Sequence, residues 1–205
     1  MLIPLETLIK KYHVNPSGVL HVGANIGEEA EAYDKAGIKK VIWIEANPVI
    51  FEVLKENIKK YEGHTAFNYC VSDVDDKEVT FHISNNAGQS SSFLELGTHA
   101  RNHPNVKYVR DIQLKTKRID SMGLDLSGVD YLSMDIQGAE LLALKGMGEL
   151  IRQFKWLYLE VNKEYVYKGN GLVGEIDQYV RQFGFFGIAE HYTSARWGDR
   201  LYKKK

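Results

Sequence analysis

Apolar residues along the chain follow two periods, and the changes between them mark the elements. Leu5, Leu8, Ile9 and Tyr12 fall on one side of a short helix over residues 4–12. Residues 18–22 read as a short apolar strand. A helix is predicted over 27–37, with Ile26, Ala30 and Tyr33 in phase and Gly37 closing it. Residues 40–45 form a continuous apolar run, the pattern of a strand buried on both faces. Asn47 and Pro48 open the next helix as N-cap and first helical residue. Its stripe is Phe51, Leu54, Ile58 and Tyr61. Residues 65–71 are the third strand. Strands alternating with helices in this way predict the βαβαβ half of an open parallel sheet.

The rhythm then lapses. Residues 79–83 alternate as a strand, and 106–119 alternate loosely, as an edge strand does. Between them, residues 85–105 are polar and rich in Ser, Gly and His. A loop of that length in a compact domain is functional or mobile, and it is read here as a substrate lid. The α/β alternation returns with a strand over 129–135, a helix over 138–147, a strand over 155–161 and a helix over 172–183. Residues 185–191 and 196–202 have the look of a hairpin. No repeat or linker interrupts the 205 residues. One domain is expected, from an N-terminal helical segment (1–16) to a C-terminal hairpin (185–205).

Composition narrows the function. Lys and Arg number 26 against 27 Asp and Glu, a net charge of -1. The basic footprint of a nucleic-acid binder is missing. Cys70 is the single cysteine, so the fold does not depend on a disulfide or an oxidising compartment. No apolar run approaches the roughly 20 residues that span a bilayer, and no signal peptide is visible. A cytoplasmic location is the expectation.

The first chemistry-bearing motif is Val22-Gly23-Ala24-Asn25-Ile26-Gly27, between a strand and a helix. Glycines at 23 and 27 allow a sharp turn and a close approach to a ligand. The dinucleotide fingerprint needs glycine at its first, third and sixth positions. Counted from Gly23, the third is Asn25 and the sixth is Glu28, so the fingerprint fails twice. Glu28 and Glu29 would also put carboxylates where a pyrophosphate binds. A ligand carrying an ammonium and a sulfonium tolerates them better. The plain alternative is a turn with dipole-compensating glutamates. Glu45 lies 22 residues beyond Gly23 (45 − 23) at a strand end. An acid there can accept both ribose hydroxyls of an adenosine, in NAD and S-adenosylmethionine alike. Ser72-Asp73 could meet an adenine edge or form an Asx turn.

A second constellation joins Asp135, in Ser133-Met134-Asp135-Ile136-Gln137-Gly138-Ala139-Glu140, with Glu160, in Tyr158-Leu159-Glu160-Val161-Asn162. Both stand at strand ends. Together they could bind a hard cation, or act as base and orienter for a hydroxyl. Otherwise Asp135 caps the helix and Glu160 pairs with a lysine. His99 and His103 in the polar segment, and His191 after a late strand, are further candidates, with His99 taken as the catalytic one. His13, His64 and His82 read as packing or surface residues. Tyr158, Tyr165, Tyr167, Tyr192 and Trp197 read as core and rim, and some could stack on a sugar ring.

In order, His21-Val22-Gly23-Ala24-Asn25-Ile26-Gly27, Ile44-Glu45-Ala46-Asn47-Pro48 and Met134 to Glu140 with Leu144-Lys145-Gly146 resemble the FkbM-type family of S-adenosylmethionine-dependent methyltransferases. The likeness runs from residue 17 to the C-terminus and takes in Gln89-Ser90-Ser91-Ser92 and Trp197-Gly198-Asp199. It implies a Rossmann-like class I α/β fold, with a mostly parallel seven-stranded sheet whose C-terminal strand is antiparallel. It implies O-methylation of a sugar or glycan. By position, the cofactor falls to Gly23, Ala24, Asn25, Gly27, Glu45, Ala46, Ser72, Asp73 and Asp135. This chain departs from the commoner pattern at His21, where many members have Asp, and at Gln137, where many have Glu. The second departure removes one candidate carboxylate from a metal site.

The expected reaction is in-line transfer of the sulfonium methyl, helped chiefly by holding the acceptor oxygen in near-attack geometry. A sugar hydroxyl is weakly acidic, so a base or a metal must assist. Asp135 is expected to do so, with Glu160 or His99 beside it. In one scheme Asp135 is the base. In the other, Asp135 and Glu160 hold Mg²⁺ or Mn²⁺. A nicotinamide-dependent oxidoreductase and a non-catalytic binding module are the alternatives. The partner expected is a glycan, not a nucleic acid, and the chain could be one module of a larger glycan-assembly protein.

Overall fold

Residues 18–22, 40–45, 131–134 and 156–162 carry apolar or aromatic side chains on both faces, and all become inner strands of one sheet. The structure is a computed structural model and describes residues 1–205. Its strands are β1 Gly18–Val22, β2 Lys40–Glu45, β3 His64–Asn68, β4 Cys70–Val71, β5 Glu78–Ser84, β6 Tyr108–Lys117, β7 Tyr131–Met134, β8 Trp156–Asn162, β9 Phe185–Tyr192 and β10 Trp197–Lys204. Its helices are α1 Leu5–Tyr12, α2 Ala30–Lys35, α3 Pro48–Ile58, α4 His99–Asn102, α5 Glu140–Met147 and α6 Val173–Arg181.

The large sheet has the order β3-β2-β1-β7-β8-β10-β9. Pairs from β3 through β8 are parallel, and β10 runs antiparallel between β8 and β9. This is the seven-stranded class I arrangement. Side chains alternate between two cores, as the period of a strand requires. Leu20, Val22, Leu132, Met134, Leu157 and Leu159 pack with Leu144 of α5 and Ile176 of α6. On the opposite face Val19, Trp43, Tyr131 and Trp156 pack with Leu5, Tyr33 and Leu54 of α1, α2 and α3. Asn47 caps α3 by accepting the N–H of Val49 at 3.0 Å.

Four elements differ from the sequence reading. Helix α2 starts at Ala30, not at 27, because Asn25 and Gly27 adopt left-handed backbones (φ 45° and 81°) that cannot continue a right-handed helix. The strand expected over 65–71 breaks at Tyr69. Its first part joins the large sheet, and its second begins a separate three-stranded sheet, β4-β6-β5. Residues 108–117 are the centre of that small sheet, not an edge strand. Most β5 and β6 residues stay wet, whereas all of β1 and β8 are buried. Finally, residues 85–105 form a docked wall containing α4. Ser92 and His82 exchange backbone hydrogen bonds (2.8 and 3.2 Å), and the Gly97 and Thr98 N–H groups donate to Val166 and Tyr165 carbonyls, both at 2.9 Å. No helix is long and apolar enough to cross a membrane.

Candidate active site

The strand order turns at β1, which has β2 on one side and β7 on the other. Open α/β sheets form a crevice at the carboxyl ends of such strands. Val22 is level with Ile44 and with Met134. The next residues, Gly23, Glu45 and Asp135, therefore meet at one edge. A cavity of about 430 Å³ opens there, within the roughly 300–1,000 Å³ of small-molecule sites. Of the residues singled out in the sequence, Gly23, Ala24, Asn25, Glu45, Ala46, His99, Asp135 and Glu160 line it. Gly27, Ser72 and Asp73 do not.

Gly23 (φ 83°) is glycine because a Cβ there would lie 1.7 Å from the Asp135 carbonyl oxygen. Gly27 faces away from the cavity. A Cβ on it would sit 2.9 Å from Leu54 Cδ1 and 3.2 Å from Ile58 Cγ2, so it lets the loop pack on α3. Ser72 and Asp73 are carried off by the break at Tyr69. The Ser72 carbonyl oxygen lies 2.1 Å from where a Cβ on Gly146 would be, and Arg118 Nη1 donates to the Asp73 carbonyl at 2.8 Å. Tyr69, Cys70 and Val71 form the wall in their place.

Glu45 is buried, and each carboxylate oxygen accepts one backbone N–H. Asn25 donates to Oε2 and Asn47 to Oε1, both at 2.8 Å. Burial raises its carboxyl pKa, against the pull of these N–H groups. Each oxygen keeps a further lone pair. Glu45 thus braces the loop and can still receive hydroxyls from the cavity. Glu28 and Glu29 stand at the same end. His21 is buried, stacked on Trp43 and hydrogen-bonded to Tyr33 at 2.9 Å. Burial lowers its pKa, against the attraction of Glu29. An acidic rim and a buried acid with spare lone pairs fit a ligand carrying cationic groups and a ribose.

At the other end the register Met134 to Leu159 brings Asp135 beside Glu160. Asp135 is exposed and Glu160 is buried. Neither plain alternative holds. Glu140, not Asp135, ties the turn before α5, its Oε1 accepting from Ile136 N (2.9 Å) and Gly138 N (3.2 Å). Glu160 meets no lysine. It receives Gln137 Nε2 at 3.0 Å and Asn162 Nδ2 at 3.4 Å. Gln137 Nε2 also donates to Asp135 Oδ1 at 2.5 Å, and Tyr167 OH donates to Gln137 Oε1.

The oxygens of Asp135, Glu140 and Glu160 approach within 4.8 Å of one another. Burial, then the charges of Asp135 and Glu140, hold Glu160 well above the usual carboxyl range. Burial, then Asp135, pushes Glu140 up to about 7. Because the Gln137 amide N–H groups point at both carboxylates, the arrangement does not fit a divalent ion shared by Asp135 and Glu160.

The wall from residues 85–105 brings His99 to the cavity, buried, its Nδ1 without a partner. Its ring lies 4.9 Å from that of His103 and 5.5 Å from that of Tyr167. Burial, aided by His103, lowers its pKa and favours the neutral imidazole. Trp197, Tyr158 and Tyr167 also line the cavity, whereas His191, Tyr165 and Tyr192 do not. The sequence reading gave Glu140 no role, weighed Gln137 only as a lost metal carboxylate, and took Tyr167 only as a core, rim or stacking residue. Only the left-handed turn at Gln137 (φ 57°) and Gly138 (φ 99°) brings them together.

Comparison with known proteins shows the family and the fold. The sequence matches the Methyltransferase FkbM domain over residues 21–186. None of the curated proteins is matched. Among solved structures, the chain is similar to a ribosomal protein L11 methylase from Lactobacillus delbrueckii subsp. bulgaricus (TM-score 0.55, 14% identity, 96% of this chain and 74% of that one). It is also similar to a SAM-dependent methyltransferase from Aquifex aeolicus (0.51, 16%, 96% and 87%). A third is magnesium protoporphyrin IX methyltransferase from Synechocystis PCC 6803, solved with bound SAM (0.53, 12%, 91% and 69%). These likenesses concern the fold, while the domain match covers most of the chain. The protein belongs to the FkbM methyltransferase family and is a SAM-dependent methyltransferase.

Proposed function

We propose that the protein methylates a hydroxyl oxygen of a sugar or glycan, with Asp135 accepting the hydroxyl proton. One observation carries the reading. Asp135 is the exposed carboxyl at the turn of the sheet, lining the cavity, with Gln137 holding its Oδ1. SAM, when bound, supplies an electrophilic methyl group. This chain's residues do the rest. Glu45, Asn25 and the acidic rim bind at the cofactor end. Asp135 takes the proton as the acceptor oxygen becomes nucleophilic. His99, kept neutral by burial, lines the cavity and orients the acceptor. Phe93, Tyr167 and Trp197 offer faces for a sugar ring, and Ser90, Ser91 and His103 offer polar edges.

The near-neutral charge supports a glycan acceptor rather than a nucleic acid. The family decides against the nicotinamide alternative, in line with the failed glycine fingerprint. The test is transfer of label from methyl-tritiated SAM to a panel of glycans and methyl glycosides, with mass spectrometry locating the methyl. Asp135→Asn should cut turnover by roughly 10²-fold or more, the scale of a lost general base. Label on nitrogen or carbon, or full turnover by D135N, overturns the reading.

A further inference from the structure

We infer that Gln137 is a positioning residue that takes the place of a bridging cation between Asp135 and Glu160. The inference rests on Asp135 as the proton acceptor. Three contacts fix the side chain. Tyr167 OH donates to Oε1, and Nε2 donates to Asp135 Oδ1 at 2.5 Å and to Glu160 Oε2 at 3.0 Å. Which way the amide faces follows from the acceptors. Asp135, the exposed carboxylate, needs a donor, and only the nitrogen end of the amide has N–H groups to give. A phenol can donate to the oxygen end.

The backbone is fixed as well. Gln137 sits in the left-handed region (φ 57°), and Ser92 Oγ donates to its carbonyl at 2.9 Å. A non-glycine residue held there by its surroundings is a form of local strain that collects at functional sites. The wall of residues 85–105 holds the Gln137 backbone and Tyr167 holds its side-chain amide, which in turn sets two carboxyl groups.

The consequence is chemical. The amide draws the two carboxyl groups together without adding a Lewis acid. It occupies Asp135 Oδ1. A glutamate at 137 would reverse this. With Asp135, Glu140 and Glu160 it would make four carboxyl groups and remove the competing N–H donors, and ligand charge governs affinity for hard cations.

The experiment compares wild type with Gln137→Met, Gln137→Glu and Asp135→Asn. Mn²⁺ titration followed by electron paramagnetic resonance needs no acceptor. Wild type should leave the free-ion signal undiminished, while Q137E should bind Mn²⁺ at least about tenfold more tightly and gain thermal stability from it. Adding D135N to Q137E should reverse both effects. Tight Mn²⁺ binding by wild type, lost in D135N, overturns the inference. So does a Q137E protein that is folded yet binds Mn²⁺ no better than wild type.

The kinetic arm uses methyl glycosides and labelled SAM in EDTA. Q137M, which keeps the volume but has no donor, should lower kcat between about tenfold and 10²-fold with an unchanged Kd for S-adenosylhomocysteine. An active Q137M beside an inactive D135N overturns the inference alone. An active D135N overturns the reading of Asp135 beneath it.

Discussion

Glu160 carries a cost that depends on pH. Its carboxyl is held well above the usual range by burial and by two neighbouring acids, so the folded protein binds its proton more tightly than the unfolded chain does. Stability is then fully present below the unfolded value of about 4.3. It falls as pH rises from there through the raised folded value, because the folded state must either keep the proton or bury a charge. Glu160→Gln mimics the neutral acid at every pH. Measured in EDTA, its Tm should match wild type near pH 4 and exceed it by a growing margin towards pH 8. A margin that shrinks with pH would contradict the burial argument. At this scale the sequence was readable where a residue's backbone context decides its role. Gly23, Asn25 and Glu45 follow from a strand-to-helix turn and the strand end beside it. Gly27 looked equivalent to Gly23, but which way its missing Cβ would point depends on where α3 packs. Glu140 and Tyr167 act through a turn whose left-handed residues leave no periodic trace.

Among the elements, the inner strands were legible because a doubly buried strand writes a continuous apolar run. The segment 85–105 was not, because polar bonds hold it. Ser90, Ser91 and Ser92 are buried, yet serine in a sequence looks like loop. Likewise β5 and β6 showed alternation without showing that they belong to a second sheet, since register between distant strands is not a local property. The wall predicts its own weak point. Ser92 Oγ accepts the Leu94 N–H at 3.1 Å while donating to Gln137. Ser92→Ala should cost roughly 1 kcal/mol of local stability. Hydrogen exchange should quicken at Leu94, Gly97 and Thr98, with protection in β1 and β7 unchanged. Equal quickening in β1 would show the wall to be part of the global unit.

For the molecule as a whole, the cofactor is the simplest lever. A ligand that binds only the folded state adds RT ln(1 + [L]/Kd), about 2.7 kcal/mol at a hundredfold excess over Kd. S-adenosylhomocysteine should raise Tm in a concentration-dependent way, and NAD at equal concentration should not. A Tm rise with NAD alone would place the wrong nucleotide in the cavity. One feature of the sheet governs how this site comes into being. Strand β10 is the last in sequence yet lies inside the sheet, with β8 and β9 on its two sides. Until residues 197–204 are available, β9 has no neighbour and β8 has an open flank. Asp199, which accepts from Tyr158 in the cavity wall, arrives with them. Chains grow from the N-terminus, so the turns around Gly23 and Glu45 can form early on the ribosome. The acceptor side must wait for the final strand to slide between two partners, and a nascent chain arrested before it would present β8 as an unpaired edge, open to aggregation.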